Sequence, residues 1–294
     1  MKDKIKRIVL DVLNLDFFGV APVDRFEHAP KNHHPEYLLP GAKSVVSMGT
    51  RILESVRMAN VRFHYENFPR HLLYSYLWYG YNLLNWFVLD HAAYIVAKEL
   101  EKSGYVALPI ASSGSEYAVY QEGKKIFGQF SNRHAAVAAG LGEFGLSRLV
   151  LNPITGPRVR WVSVITTAEL DFDALYNGPK LCRADICAKI CEEKFGVKEP
   201  LCHHVCPVNA FISQKMEKVV IGEKTFYYPD LDMVKCMWAG SGHIGKLPLH
   251  VKTVEDVRKE PVDPIVQHEM RLTQRANYCG KCLTMCPSPT FASL

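Results

Sequence analysis

Two kinds of apolar pattern alternate along the first part of the chain. Short, almost unbroken apolar runs, FFGVAPV (17–23), AKSVVSMG (42–49), VALPI (106–110) and VRWVSVITTA (159–168), read as strands covered on both faces, because they leave no polar side for water. Between them lie longer segments with helical character: the amino-terminal KDKIKRIVLDVLNL, a long stretch ending near Lys102-Ser103-Gly104, and the small-residue segment RHAAVAAGLG (133–142). Strands and helices in this order predict an α/β fold with helices on both faces of a sheet. After Leu170 the character changes to turn-prone segments, and all nine cysteines fall within 182–287. The pattern therefore predicts two regions, an α/β domain over 1–172 and a cysteine-rich domain over 173–294.

One segment raises the question of a membrane. LLYSYLWYGYNLLNWFVL (72–89) is nearly long enough to span a bilayer. Ser75, Gly80, Asn82 and Asn85 interrupt it, its tyrosines and tryptophans are spread along it instead of gathering at two interfaces, and Asp90 and His91 follow directly. A buried helix with no membrane span is the expectation. Composition agrees: 294 residues with 48% apolar content can bury one large core or two unequal ones. The net charge of +5 is scattered, so no nucleic-acid arm or polybasic anchor is visible and no nucleic-acid partner is expected. Asp11, Asn14 and Asp16 break the first apolar run, which reads as a first helix of a cytoplasmic protein and not as an export signal.

The cysteines carry most of the chemistry. A disulfide framework would leave one of the nine over and would need an oxidising compartment. Structural zinc is the stronger competitor, since Cys-x2-Cys pairs bind zinc readily. However, Cys202-x3-Cys206 and Cys282-x3-Cys286 are each followed at once by proline, Pro207 and Pro287, as in ferredoxin runs whose last cysteine crosses to the other cluster. That crossover predicts two [4Fe-4S] clusters. Cys206 joins Cys279 and Cys282, and Cys236 is the only cysteine between the runs that can complete that set. Cys286 joins Cys202 and two of Cys182, Cys187 and Cys191. EEKFGVKEPL (192–201) interrupts the loop there, so spacing leaves the spare open. Cys191, at the border of the insertion, is the favoured spare, with its exchange for Cys182 left open. His203 and His204 are expected near the cluster without binding it.

Gly140, Gly142 and Gly145 spell G-x-G-x-x-G, but behind an alanine-rich helix instead of a strand, which argues against a nicotinamide site. Small residues here let helix and loop pack closely against the sheet or against a flat ligand.

RHAAVAAGLGEFG (133–145), NPITGPRVRWVSVITTAEL (152–170), KCMW (235–238) and the closing CGKCLTMCP (279–287) together resemble the core shared by corrinoid-dependent reductive dehalogenases and epoxyqueuosine reductases; LLPGAKSVV (38–46) is similar to an early strand of the latter. The resemblance implies a nitroreductase-like α/β sandwich followed by a ferredoxin-like domain with two [4Fe-4S] clusters. It also implies base-off cobalamin lined by His134, Gly140, Leu141, Gly142, Gly145, Asn152, Pro153, Arg158 and Arg160. The activity implied is low-potential reduction of a small organic substrate, with ferredoxin or flavodoxin as donor; an electron-transfer or corrinoid-activating protein and a tRNA epoxyqueuosine reductase are the alternatives. By the same analogy the proton donor falls in SSGSEYAVYQEGKK (112–125), with Tyr117, Tyr120 and Glu116 as candidates and Glu122 beside them. The chain departs from both families after Gly145, where Leu146 replaces the usual basic residue, and Ile126 stands near the position of an expected aspartate.

Overall fold

In the computed structural model all residues are described except 66–70, 114–118, 123–124, 244–245, 262–278 and 290–294. Ten strands occur among the described residues: β1 (Phe17–Pro22), β2 (Ser44–Arg51), β3 (Ala107–Ile110), β4 (Val119–Glu122), β5 (Lys125–Gly128), β6 (Glu143–Phe144), β7 (Val150–Leu151), β8 (Val159–Thr166), β9 (Phe211–Ile221) and β10 (Lys224–Leu231). The four expected from the apolar runs make one sheet in the order β1-β2-β8-β3. Every pairing is antiparallel, with Val20 opposite Val46, Val46 opposite Val164 and Leu108 opposite Ile165.

Alternation along the two central strands sends side chains to two cores. Val46, Met48, Val162 and Val164 pack under Ile5 and Val9 of the first helix and under Leu89, Val96 and Leu100 of the long one. Val45, Trp161 and Ile165 face the other way, against Ala135 to Ala139 and against Ile221 and Tyr228 of the β9–β10 hairpin. The helix Asn132–Ala138 lies very close to the sheet: a Cβ on Gly19 of β1 would meet the Ala139 carbonyl oxygen at 2.6 Å. Its run of alanines is therefore a packing requirement, as small side chains allow backbones to approach.

The long helix is α-helical over His71–Leu77 and Asp90–Glu101, with wider π-type turns over Trp78–Leu89 between. Asn85 donates to the Tyr81 carbonyl while its own carbonyl accepts from Ser112 Oγ, and side-chain intrusions of this kind loosen a helical ladder. The expectation of a buried helix holds for one face only. Leu73, Tyr76, Leu77 and Leu89 are buried, whereas Tyr74, Tyr79 and Phe87 are 43%, 50% and 59% exposed. No helix among the described residues is long and apolar enough to cross a membrane.

The cysteine-rich part is laid onto this scaffold. Asp173 accepts from Lys2 Nζ at 2.7 Å and from the Val20 amide at 2.8 Å, starting the segment along β1. Short helices then follow at Ala184–Phe195, Leu201–His204, Met233–Gly240, Val254–Lys259 and Lys281–Thr284. Leu283 of the last packs with Ile52, Val56 and Tyr76, so the closing cysteine motif shares a core with the first part of the chain.

Candidate metal centre

The short helices place the cysteines in two groups. Cys182 precedes Ala184–Phe195, which carries Cys187 and Cys191; Leu201–His204 carries Cys202, and Cys206 follows it. Cys236 lies on Met233–Gly240, while Cys279, Cys282 and Cys286 surround Lys281–Thr284. Cys182, Cys187, Cys202 and Cys286 all line one cavity, together with the apolar Leu146 and Leu151. The remaining quartet is Cys206, Cys236, Cys279 and Cys282, whose sulfurs are close enough to act on one another electrostatically. Cys286 has left its own triplet and Cys206 has arrived in exchange. Cys191 is buried beside Glu199 and Cys187 but does not line the cavity that Cys182, Cys187, Cys202 and Cys286 share.

The donor chemistry of the quartets fits a cationic metal core. Burial, then the neighbouring thiols, pushes Cys236 up to about 12. Burial does the same to Cys286, also to about 12, with Cys182 and Cys187 adding to it. Cys202 and Cys282 are driven well above the ordinary thiol range by burial and by the surrounding cysteines. Four such thiolates coexist only around compensating positive charge. Cys236 keeps accessible surface, with Cys279 and Cys206 near its sulfur. Among the described residues no three His, Cys, Asp or Glu side chains converge on a point that would hold a single ion. Four cysteines per quartet is the donor set that a [4Fe-4S] cluster takes.

Backbone amides point at the sulfurs. Leu146 N–H reaches Cys182 Sγ at 3.4 Å, Leu201 N–H reaches Cys187 Sγ at 3.2 Å and Ala210 N–H reaches Cys206 Sγ at 3.3 Å. Such donors favour thiolates and tune cluster potentials. Side chains of the sheet domain hold the closing motif by its carbonyls: Arg158 donates to Cys286 O at 3.0 Å, Arg57 to Thr284 O at 2.9 Å and Asn60 to Cys279 O at 3.3 Å. Gly280 must be glycine, because its φ is +57° and a Cβ would lie 2.1 Å from the Tyr76 hydroxyl. His203 bonds the Leu146 carbonyl at 3.3 Å and His204 bonds Glu199 at 3.1 Å, which leaves both outside the quartets.

The residues assigned to a corrinoid are engaged within the chain. Gly140 and Gly142 face the carbonyl oxygens of Ala174 and Leu151, where a Cβ would come to 2.0 and 2.1 Å, and Gly145 abuts the Leu151 side chain. Asn152 donates to Leu141 O at 2.8 Å and accepts from the Ile154 amide at 2.9 Å, with Pro153 inside that turn. Arg160 donates to Gly80 O at 3.0 Å and lies over the Tyr81 ring. His134 bonds Ser131 Oγ at 2.6 Å, and burial followed by Arg133 and Arg148 pulls it down to about 3, so it is neutral. Glu116 and Tyr117 lie outside the described residues; for Tyr120 and Glu122 only the strand backbone is described, Tyr120 opposite Phe127. Nothing in the sequence pattern points to Asn60, Arg57 or Tyr76 as neighbours of the cysteines.

No protein-family model and no curated protein sequence matches the chain. Solved structures do. Epoxyqueuosine reductase from Streptococcus thermophilus superposes with a TM-score of 0.52 at 14% identity over 98% of this chain. An epoxyqueuosine reductase bound to a tRNA-Tyr stem loop gives 0.52 at 16% over 97%, and a B12-dependent reductive dehalogenase 0.53 at 15% over 92%. The chain has the fold of these reductases. It spans 65% and 64% of the two epoxyqueuosine reductases and 33% of the dehalogenase. The α/β sandwich followed by short cysteine-bearing helices is thus the architecture expected from the motifs.

Proposed function

We propose that this chain is an iron-sulfur oxidoreductase that carries low-potential electrons through two [4Fe-4S] clusters to a small organic substrate. The observation that carries the reading is the sorting of eight cysteines into two crossed quartets, one of them lining a single cavity. When bound, the clusters supply one-electron transfer at potentials between roughly −700 and +450 mV. The chain's own contribution is to bury the thiols, aim the amides of Leu146, Leu201 and Ala210 at them, and exclude water with Leu146 and Leu151. Adjacency of the quartets favours passage between them: Cys282 feels Cys286 as well as its own partners. A ferredoxin or flavodoxin is the donor class that fits such potentials.

Cobalamin is the further cofactor that the resemblance implies, and the reading does not depend on it. The fold neighbour with a tRNA stem loop supports a second reading, reduction of a modified base in tRNA. Anaerobic reconstitution tests the first: about eight iron and eight sulfide per chain, with a broad cluster absorption that bleaches on reduction, is the expected result. Zinc in place of iron under those conditions would end it. Adding cobalamin or a tRNA stem loop to the loaded protein separates the readings. Retention of stoichiometric cobalamin supports a corrinoid reductase, and salt-dependent stem-loop binding supports the tRNA enzyme. Absence of both, with clusters that reduce a partner protein, supports electron transfer alone.

A further inference from the structure

One side chain of the glycine-rich loop, at a position where the G-x-G-x-x-G spacing asks for nothing in particular, is tied to a cluster ligand. Glu143 begins β6. Phe144 turns into the core against Phe226 and Tyr228, so strand alternation sends Glu143 to the other side. There its Oε1 accepts from the Leu181 amide at 2.5 Å and from the Cys182 amide at 3.4 Å. Further along the loop the Leu146 amide reaches Cys182 Sγ at 3.4 Å, while the Leu146 carbonyl meets His203, next to Cys202, at 3.3 Å. The loop thus grips Cys182 at both its amide and its sulfur. Glu143 is half-buried. Among the described residues no cation lies within ion-pair distance of it, and amide donors stabilise a carboxylate without cancelling its charge. Other charges near the cavity are placed differently: Asp185 is paired with Arg183 at 3.3 Å, and Arg158 holds the Cys286 carbonyl at 3.0 Å.

We propose that Glu143 is a positioning residue of the cluster held by Cys182, Cys187, Cys202 and Cys286: it fixes Cys182 against the Leu146 amide and lowers the reduction potential of that cluster selectively. This rests on the two-cluster reading above. The amide nitrogen and Sγ of a cysteine are separated by three bonds, so a carboxylate bound to the amide is a near neighbour of the sulfur. A cubane held by four thiolates gains one negative charge when it accepts an electron, with no bond made or broken and no proton moved. A fixed anion beside it disfavours the reduced form more than the oxidised one. The Leu146 amide and Arg158 pull the other way, but both are present with and without the carboxylate, so its removal isolates the effect of Glu143. The other quartet has no member in contact with the loop and serves as the internal reference.

The test uses the full chain, loaded anaerobically and titrated with dithionite as electron source while the reduced clusters are followed by electron paramagnetic resonance. The signal that survives in Cys236→Ala belongs to the cavity cluster. Glu143→Gln keeps an oxygen for the two amides and removes the charge. In that variant the cavity signal is expected to titrate at a less negative potential, by tenfold or more in the reduction equilibrium, about 59 mV for one electron. The other signal stays in place, and Glu143→Asp, which keeps the charge, stays near wild type. A clamp without an electrostatic effect would leave the potential of a loaded cluster where it was. An unmoved cavity signal in the loaded Gln variant, or equal movement of both signals, overturns the proposal. Should the Gln variant lose the cavity cluster, the Asp variant decides: a cavity signal near wild type supports the charge, whereas a tenfold displacement, or loss of the cluster there too, overturns it. A wild-type chain that takes up no iron removes the two-cluster reading itself, whereas full iron with unmoved potentials removes only the role of Glu143.

Discussion

Replacing Cys236 and Cys191 one at a time separates ligand chemistry from fold stability, because the two effects run in opposite directions. Cys236 sits on the helix Met233–Gly240 and keeps accessible surface, so Cys236→Ala leaves no closed cavity. Alanine is also the better helix former by a few tenths of a kcal/mol, and the apo fold should change by less than about 0.5 kcal/mol. Cys191 is fully buried, 0% exposed, beside Glu199. Removing its sulfur opens a small cavity, at about 1 kcal/mol. The fold-neutral change should halve the iron, from about eight to about four per chain, or trim one cubane by a single iron. The fold-damaging change should keep all of it. Iron and sulfide analysis, with thermal melting of the apo proteins alongside, reads both quantities. Full iron in Cys236→Ala, or half in Cys191→Ala, would refute the assignment of the quartets.

Further outcomes follow from the glycine loop and from His134. Gly140 holds φ +75° with a Cβ position 2.0 Å from the Ala174 carbonyl oxygen, so Gly140→Ala should cost about 3 kcal/mol in melting, and Gly142→Val a comparable amount against Leu151. A loss of ligand binding in either variant would report a damaged loop; an unchanged melting temperature would contradict the packing described. His134 is held neutral at about 3 in the folded chain against about 6.5 unfolded, so the unfolded state binds the extra proton between those values. Its contribution is complete above pH 6.5 and declines as the pH falls toward 3, reaching a loss of about 2 kcal/mol by pH 5. Denaturant titrations of wild type and His134→Gln at pH 7 and pH 5 check it: the stability difference between the two proteins should change by about that amount, and a constant difference would show that the ring does not titrate as described.

Much of the architecture could be read from near neighbours in the chain. All four apolar runs became strands of the central sheet, because a strand covered on both faces needs no polar side and its sequence shows it. The alanine-rich segment became a helix pressed against β1, and the Cys-Pro junctions pointed to crossed clusters. The spare cysteine could not be chosen from spacing; only the fold shows that Cys191 is absent from the cavity lined by Cys182, Cys187, Cys202 and Cys286. What the glycine loop packs against was not legible either, since a glycine that admits a ligand and a glycine that admits the chain's own backbone look alike in sequence. Gly140 and Gly142 admit Ala174 and Leu151.

What the sequence by itself determined is the cysteine pairing pattern of the motifs and the period of each element, both of which depend on residues close along the chain. Tertiary structure alone decided which charge faces which thiol and which face of the long helix meets water. Asn60 reaches Cys279 across 219 residues and Arg57 reaches Thr284 across 227, and no local pattern encodes such partners. Their physical cause is the docking of the closing motif through Leu283 onto Ile52, Val56 and Tyr76, an apolar contact that is nondirectional until the whole sheet is in place to receive it.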